Sequence, residues 1–408
     1  MTRWRWVVAG VGVLILIGMG VWMWQKKIDL ISPWVGEKKF GVFKRETPEI
    51  IGFLPTWMVG KTQNYEGILD QLIFLGVDVD KKGSLVWDVQ GKKINDESYL
   101  AMKATIKKSG GKNILGIKLF DSKLIDSLVA SGSARRTLLE ETKAIVQVAD
   151  YDGVNIDFEY MGDPVRVLKD DFLGFLEEFK QEVGGEISID VFANTVIKGD
   201  MAGLVKLADR VDKIIVMAYD FHQPSSDFAG PVAPINSVPG ERNITEVTQK
   251  IIEAQLPKKK MILAYPLYGY QWRTTDVLFE SKVTENWSRM VSWNESKERL
   301  ADGTYANFTD FKLGWDELSM TPWVSFKNEE TTTKRVRVLN KKTKRYVWTN
   351  VSVPITRTYQ AYFENMESMG AKLDLAKQSQ VGGVGFWALG YEGEDRDLWK
   401  LVLEKIRN

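Results

Sequence analysis

Cysteine is absent from all 408 residues, which excludes disulfides, thiolate nucleophiles and cysteine-based metal sites. The absence does not fix the compartment, because an exported chain can also lack cysteine. Histidine occurs once, at His222, so acid–base work falls to carboxylates, hydroxyls or amides. In its loop, DFHQPSSDFAG, that lone histidine reads as solvated rather than catalytic. Neither charge is in excess, with Lys+Arg at 55 and Asp+Glu at 54, and a nucleic-acid partner is not expected. No cluster has metal-ligand spacing, and Gly382, Gly383 and Gly385 are not followed by the Lys and Ser or Thr of a phosphate loop, so neither metal nor cofactor is expected. Close backbone approach within a barrel explains those glycines better. Internal repeats are also lacking. What is abundant is apolar surface: 44% of residues are hydrophobic and 11% aromatic, enough for one large core or two modest ones.

Part of that apolar content is concentrated at the start of the chain. WVVAGVGVLILIGMGVWMW, Trp6 to Trp24, carries no charge, and as a helix its 19 residues rise ~28 Å, close to the hydrocarbon thickness of a bilayer. Trp4, Trp6, Trp22 and Trp24 bracket it as interfacial aromatics. A cleavable signal peptide would have a shorter apolar stretch and a small-residue cleavage site, whereas WMWQKK follows here. Arg3 and Arg5 before the span nearly balance Lys26 and Lys27 after it, and the N-terminal amine tips the N-terminus inward. The expectation is an anchor over residues 1–27, a linker over 28–47 and a domain over 48–408 on the outer side of the cell membrane, with Trp6–Trp24 in contact with lipid.

Beyond the anchor, apolar runs of strand length begin at Ile50, Gln71, Asn113, Gly153, Glu186, Lys213, Lys260 and Gly382. Amphipathic stretches such as SARRTLLEETKAIVQVAD and LKDDFLGFLEEFKQEVG lie between them, with apolar residues recurring at three and four. Nearly continuous apolar strands alternating with helices imply a parallel sheet, and eight units imply a (β/α)8 TIM barrel. An open doubly wound sheet is the runner-up, but FLPTWMVG after the first strand is not a Gly-rich phosphate turn. Between the seventh strand and the helix starting near Met366, KRVRVLNKKTKRYVWTNVSVPI reads as a β-hairpin. Residues 272–355 are therefore expected to form a small α+β insertion on the catalytic rim, between strands seven and eight.

The fourth strand carries the chemistry. In DGVNIDFEY, from Asp152 to Tyr160, alternation turns Val154, Ile156 and Phe158 toward the helices and Asn155, Asp157 and Glu159 into the barrel. Burying ionisable groups there costs several kcal/mol unless they are paired or neutralised, so a buried network in the barrel floor competes with a reactive cleft at the strand end. Two carboxyls so close would hold a proton between them at raised pKa, and such an acid can protonate a leaving group near neutral pH.

These residues resemble a known signature. DGVNIDFE is similar to the DGxDxDxE motif of glycoside hydrolase family 18, the chitinase-like hydrolases. VMAYD at Val216, AYPLYGYQW at Ala264 and GGVGFWALG at Gly382 resemble the family's motifs on strands six, seven and eight. The resemblance implies that Glu159 protonates the glycosidic oxygen while the N-acetyl oxygen of the substrate attacks C1, so that configuration is retained. It gives Asp157 the acetamido N–H and Tyr219 the acetamido oxygen. Asp220, Met217 and Trp387 would bind the sugar, and Tyr268 and Trp57 are further candidates for its faces, with Trp272 and Tyr270 also near strand ends. Asn155, counted with the substrate-binding residues, stands where the family commonly has aspartate, and Phe158 where chitinases usually have tryptophan. NIDFE with AYPLYGY looks most like the bacterial spore-cortex and cell-wall N-acetylglucosaminidases, although no LysM repeat is found.

The function expected is thus a monomeric, membrane-anchored retaining glycosidase acting on β-1,4-linked N-acetylglucosamine glycans, peptidoglycan first and chitin second. A non-catalytic glycan-binding protein of the same fold is the alternative, but it would typically have lost the acid. A structural protein presenting the insertion to a partner leaves the inward carboxyls unexplained.

Overall fold

The computed structural model describes residues 47–87 and 94–408. The anchor expected over 1–27, its Trp6–Trp24 lipid contact and nearly all of the linker expected over 28–47 lie outside these residues. Among the described residues no helix is long and apolar enough to cross a membrane.

The strands, in chain order, are β1 (Glu49–Pro55), β2 (Gln71–Val79), the short β3 (Leu85–Trp87), β4 (Lys112–Leu119), β5 (Gly153–Phe158), β6 (Glu186–Phe192), β7 (Lys213–Met217) and β8 (Met261–Pro266). Then come β9 (Tyr268–Thr274), β10 (Val283–Ser292), β11 (Thr309–Asp316), β12 (Thr321–Asn340), β13 (Arg345–Tyr362) and β14 (Gly383–Trp387). Apart from β3, which folds back antiparallel on β2, the first eight and β14 form one parallel wall. Its order is β1, β2, β4, β5, β6, β7, β8, β14, and β14 pairs with β1 to close the eight-stranded barrel. All eight apolar runs marked in the sequence are barrel strands. They read as continuous runs because each is buried on both faces.

The outer face of the wall packs on helices. Phe158 of β5 stacks on Phe175 of the helix Asp170–Val183 with ring centroids 6.0 Å apart. Many connecting helices start at a side-chain cap, as where Ser131 accepts from Ala134 N–H at the head of Gly132–Val148. Gly110, at φ 88°, ends Glu97–Lys108 in the left-handed conformation that glycine adopts without strain. The barrel interior is smaller and split in character. Ile51, Phe53, Ile73, Ile114, Ile215, Ile262 and Ala264 form an apolar cluster on one side. Asn155, Asp157, Ser188 and Asp190 are buried polar residues of β5 and β6. The paired glycines at β14 are there for approach, since a Cβ on Gly383 would lie 2.4 Å from the Glu49 carbonyl oxygen.

Between β8 and β14 the chain builds a five-stranded antiparallel sheet in the order β10, β9, β13, β12, β11. Its strands run from Tyr268 to Tyr362, wider at both ends than residues 272–355. A separate core of Tyr305, Val324, Phe326, Tyr359, Ala361 and Phe363 supports it.

Candidate active site

The alternation of β5 places its polar residues at increasing height inside the barrel. Asn155 is lowest and wholly buried, and its Nδ2 donates to Asp190 Oδ1 at 2.9 Å and to Ser188 Oγ at 3.1 Å. Both partners belong to β6, whose parallel register sets Ser188 beside Asn155. Asp157, 4% exposed, comes next. Glu159 stands just beyond the strand, with its N–H bonded to the Leu119 carbonyl at the end of β4 (2.9 Å), and half-open to a cleft.

Four carboxyls crowd this end of the barrel, and all are shifted toward holding protons. Burial pushes Asp157 up, helped by the charges of Asp190 and Glu159 and opposed by Lys118. Burial, with Asp220 nearby, pushes Glu159 up to about 7, while a hydrogen bond with Asp157 opposes the shift. Asp190 is pushed by burial to about 8 despite the bond from Asn155. Burial also raises Asp220, against hydrogen bonds from Tyr268 and Tyr270 that favour its anion. Lys118 gives little relief because it is engaged with Asp78 at 2.9 Å. A low-dielectric cleft with several acids and, among the described residues, no ion pair to any of them holds protons at neutral pH, as a general acid requires.

The cleft at the strand ends has a volume of about 780 Å³, within the usual range for a small-ligand site. Asp157, Glu159, Met217, Tyr219, Asp220, Tyr268, Trp57 and Trp387 all line it, so these sequence candidates are brought together. Trp387, the last residue of β14, lies 5.9 Å from Phe53 and 6.2 Å from Trp57, each ring offering an apolar wall. Trp57 is 39% exposed at the mouth, and its Nε1 donates to Tyr391 OH at 3.3 Å. Met217 ends β7, and Tyr219 follows with its phenol held protonated, first by burial and then by the carboxylates around it. Asp220 has a left-handed backbone (φ 57°) and accepts from Tyr268 OH at 2.5 Å.

Other candidates are placed elsewhere. Asn155, a substrate-binding candidate in the sequence, does not line the cleft: it is wholly buried and donates to Asp190, which does line it. Trp272 is fully buried with Nε1 on the Gln223 carbonyl (3.1 Å), so it offers no face to a sugar. His222 lies outside this cleft, its Nδ1 2.9 Å from the Pro231 carbonyl oxygen. Asp190, Lys118, Lys198 and Arg242 also line the cleft without having been site candidates, and Tyr270, noted near a strand end, lines it too. Asp190 had a signal in EISIDVFA, where Ser188 and Asp190 alternate with apolar residues as Asn155 and Asp157 do in β5. Among the described residues no group of acidic or imidazole side chains is disposed to hold a metal ion.

An eight-stranded barrel with a proton-holding carboxyl cluster under an aromatic-walled cleft defines a barrel hydrolase. Within that class the sequence is specific: the pattern of glycosyl hydrolases family 18 matches residues 49–392, and the chain belongs to this family of glycosidases. It is 26% identical over 276 residues to the candidate sporulation-specific glycosylase YdhD of Bacillus subtilis, an alignment covering 66% of this chain and 54% of that one. The chain thus spans about half the length of that relative. The group IV chitinase of Ostrinia furnacalis has the same fold, with a TM-score of 0.69 at 17% identity over 88% of this chain and 100% of that one. So does the spore cortex-lytic enzyme SleL of Bacillus cereus, with a TM-score of 0.61 at 15% identity over 88% of this chain and 74% of that one.

Proposed function

We propose that this chain is a membrane-anchored retaining glycosidase that cleaves β-1,4-linked N-acetylglucosamine glycans, with peptidoglycan as first substrate and chitin-like glycans as second. The observation that carries the reading is the Glu159 carboxyl, open to the cleft, hydrogen-bonded to Asp157 and held at about 7. At neutral pH a large fraction of it is an acid able to protonate a departing sugar oxygen. Asp157 accepts from the substrate acetamido N–H and steadies the positive charge that grows as the acetamido oxygen attacks C1. Tyr219, a protonated phenol, donates to that oxygen and orients it. The bond from C1 to the leaving oxygen breaks as the Glu159 proton transfers, and the resulting carboxylate then takes a proton from water that opens the cyclic intermediate. Two displacements at C1 retain its configuration. Trp387 and Trp57 offer ring faces to the sugars, and Asp220, fixed by Tyr268, meets a hydroxyl of the reacting ring.

The preference for peptidoglycan has two supports. The relatives named above include a candidate sporulation-specific glycosylase and a spore cortex-lytic enzyme. In addition, Lys198 and Arg242 line the cleft, and chitin offers no anion for them, whereas the lactyl groups and stem peptides of peptidoglycan do. The uncharged Trp6–Trp24 segment supports single-pass attachment to the cell membrane with the barrel outside. The test is hydrolysis of purified peptidoglycan and of soluble chitin oligomers by the full chain, beside Glu159→Gln. Cleavage by the parent and not the variant is expected. If neither glycan is cut the reading fails, and an equally active variant removes Glu159 from the acid role.

A further inference from the structure

The insertion sheet contains a segment that neither the barrel nor the cleft uses. β12 and β13 stay paired far beyond their neighbours: β11 leaves β12 at Lys327, and β9 meets β13 only from Thr358 onward. From Thr331↔Pro354 to Asn340↔Arg345, ten residue pairs form a two-stranded ribbon with both edges bare. At ~3.3 Å per residue it reaches ~30 Å from the sheet. Pro354 is tolerated there because an edge strand needs no ladder N–H at that position.

A ribbon of this kind has no core of its own and is marginal in water, yet its side chains are not those of a solvated arm. Tyr346 and Trp348 are 60% and 59% exposed, and Val338, Leu339 and Val347 beside them are exposed as well. Cross-strand pairing puts Arg337 opposite Trp348, Val338 opposite Val347 and Leu339 opposite Tyr346, so both faces near the tip are apolar. Guanidinium groups attend the rings, with Arg335 5.4 Å from Trp348 and Arg337 5.1 Å from Tyr346. The charge is wholly of one sign. Residues 331–356 hold Lys334, Arg335, Arg337, Lys341, Lys342, Lys344 and Arg345 and no carboxylate. Since the net charge of the chain is +1, the remainder carries −6, and positive charge is segregated onto the ribbon.

We propose that this ribbon is a membrane-docking arm whose tip rests on the anionic headgroups of a lipid bilayer. Lys and Arg clusters are drawn to anionic headgroups, and Trp and Tyr rings settle where headgroup meets acyl chain. Val338, Leu339 and Val347 bury in the same boundary. A soluble phosphate-rich polymer would satisfy the cations and leave these apolar residues in water. A second copy of the ribbon would bring like charges together across the bare edges. The arm is a lipid contact separate from the Trp6–Trp24 span and independent of which glycan is cut.

The absence of cysteine makes the test direct, because Val347→Cys in the full chain offers a single thiol for an environment-sensitive fluorophore. The labelled protein is reconstituted in vesicles of phosphatidylcholine alone and of an equal mixture with phosphatidylglycerol. In the anionic vesicles a blue shift and quenching by acyl-chain nitroxide lipids are expected, at least about tenfold stronger than in neutral ones and suppressed by high salt. Replacing Arg335, Arg337, Lys341, Lys342 and Lys344 together by Gln should abolish the response while leaving the melting temperature unchanged, since these side chains lie outside both cores. No response in anionic vesicles, or one insensitive to these replacements, overturns the proposal. A blue shift produced instead by soluble polyphosphate or by raising protein concentration without lipid overturns it too.

Discussion

The two ends of the barrel each gather a cluster of ionisable groups and treat them in opposite ways. At the N-terminal end, the first residues of four strands meet: Glu49, Gln71, Glu186 and Lys213. Lys213 bridges Glu186 at 2.7 Å and Glu49 at 3.2 Å, Gln71 Nε2 donates to both carboxylates at 2.7 and 2.8 Å, and Lys112 adds a further ion pair with Glu186. Burial alone would raise Glu186, but its bonds from Lys112, Lys213 and Gln71 outweigh burial and leave it below its ordinary value. At the C-terminal end no cation among the described residues forms an ion pair with Asp157, Glu159, Asp190 or Asp220, burial is deeper, and all four rise. Burial alone therefore does not decide what a carboxyl in this barrel does. The supply of donors and cations does, converting one end into a stopper and leaving the other as a store of protons.

The largest expected effect comes from removing the proton that the open end keeps. Glu159→Gln should lower kcat on chitin oligomers or peptidoglycan by roughly 10²–10⁴-fold, the usual worth of a general acid, with oligomer binding retained. Steady-state kinetics and calorimetric binding check this together. At the closed end the loss is of stability. Lys213→Met leaves Glu49 and Glu186 underpaired and should destabilise folding by about 3 kcal/mol, the lower end for breaking a buried pair because Lys112 remains. Denaturant unfolding measures it. If the two variants exchanged phenotypes, the contrast between stopper and proton store would be wrong.

The ends should also respond to pH with opposite sign. The folded pKa of Glu186 is depressed, so its stabilisation is fully present above its ordinary value near 4.5 and is lost as pH falls through the lower folded value. The folded pKa of Asp190 is raised to about 8, so the native state keeps a proton that the unfolded chain releases near 3.8, and stability drains as pH rises between those values. Asp190→Asn keeps an acceptor for Asn155 and removes that penalty. Its melting temperature relative to the parent should therefore climb steadily from pH 5 to 8, by calorimetry. A constant difference would mean that Asp190 holds no more of a proton in the folded state than in the unfolded chain across this interval.

Much of this was legible in advance because parallel strands covered on both faces leave continuous apolar runs, and polar residues that interrupt β5 stand out against them. The closed end was not legible. Glu49, Gln71, Glu186 and Lys213 lie at strand starts, where polar residues are ordinary, and only the register of four separate strands assembles them. The open end was legible in the motif-bearing strand and less so in β6, since the alternation of Ser188 and Asp190 in EISIDVFA is a weak signal until Asn155 is seen to donate to both. AYPLYGYQW was deceptive in another way. It reads as one strand end, but Pro266 closes a barrel strand and Tyr268 opens the insertion sheet, with Leu267 N–H bonded to the Trp387 carbonyl between them (2.6 Å). Periodicity does not say which sheet a strand joins, so Trp272 looked like a cleft residue and is a core one.

The smallest effect probes how the open end is tuned. Asn155 is the only amide among the inward polar residues of β5, and the proton-bearing carboxyl of Asp190 is its partner. In Asn155→Asp that donated bond is lost, and the new carboxyl must either ionise beside Asp190 and Asp157 or take up a proton itself. Both outcomes increase proton binding by the cluster, and Asp190 and Glu159 are electrostatically linked. The alkaline limb of kcat/KM, set by loss of the Glu159 proton near 7, should therefore move upward by about one pH unit or less, with the maximal rate within about tenfold of the parent. A pH–rate profile on a soluble oligomer reads both quantities at once. An unmoved limb would show that Asn155 is electrically silent. A dead enzyme would show that it positions Asp157 instead, because added negative charge alone cannot remove a proton from Glu159.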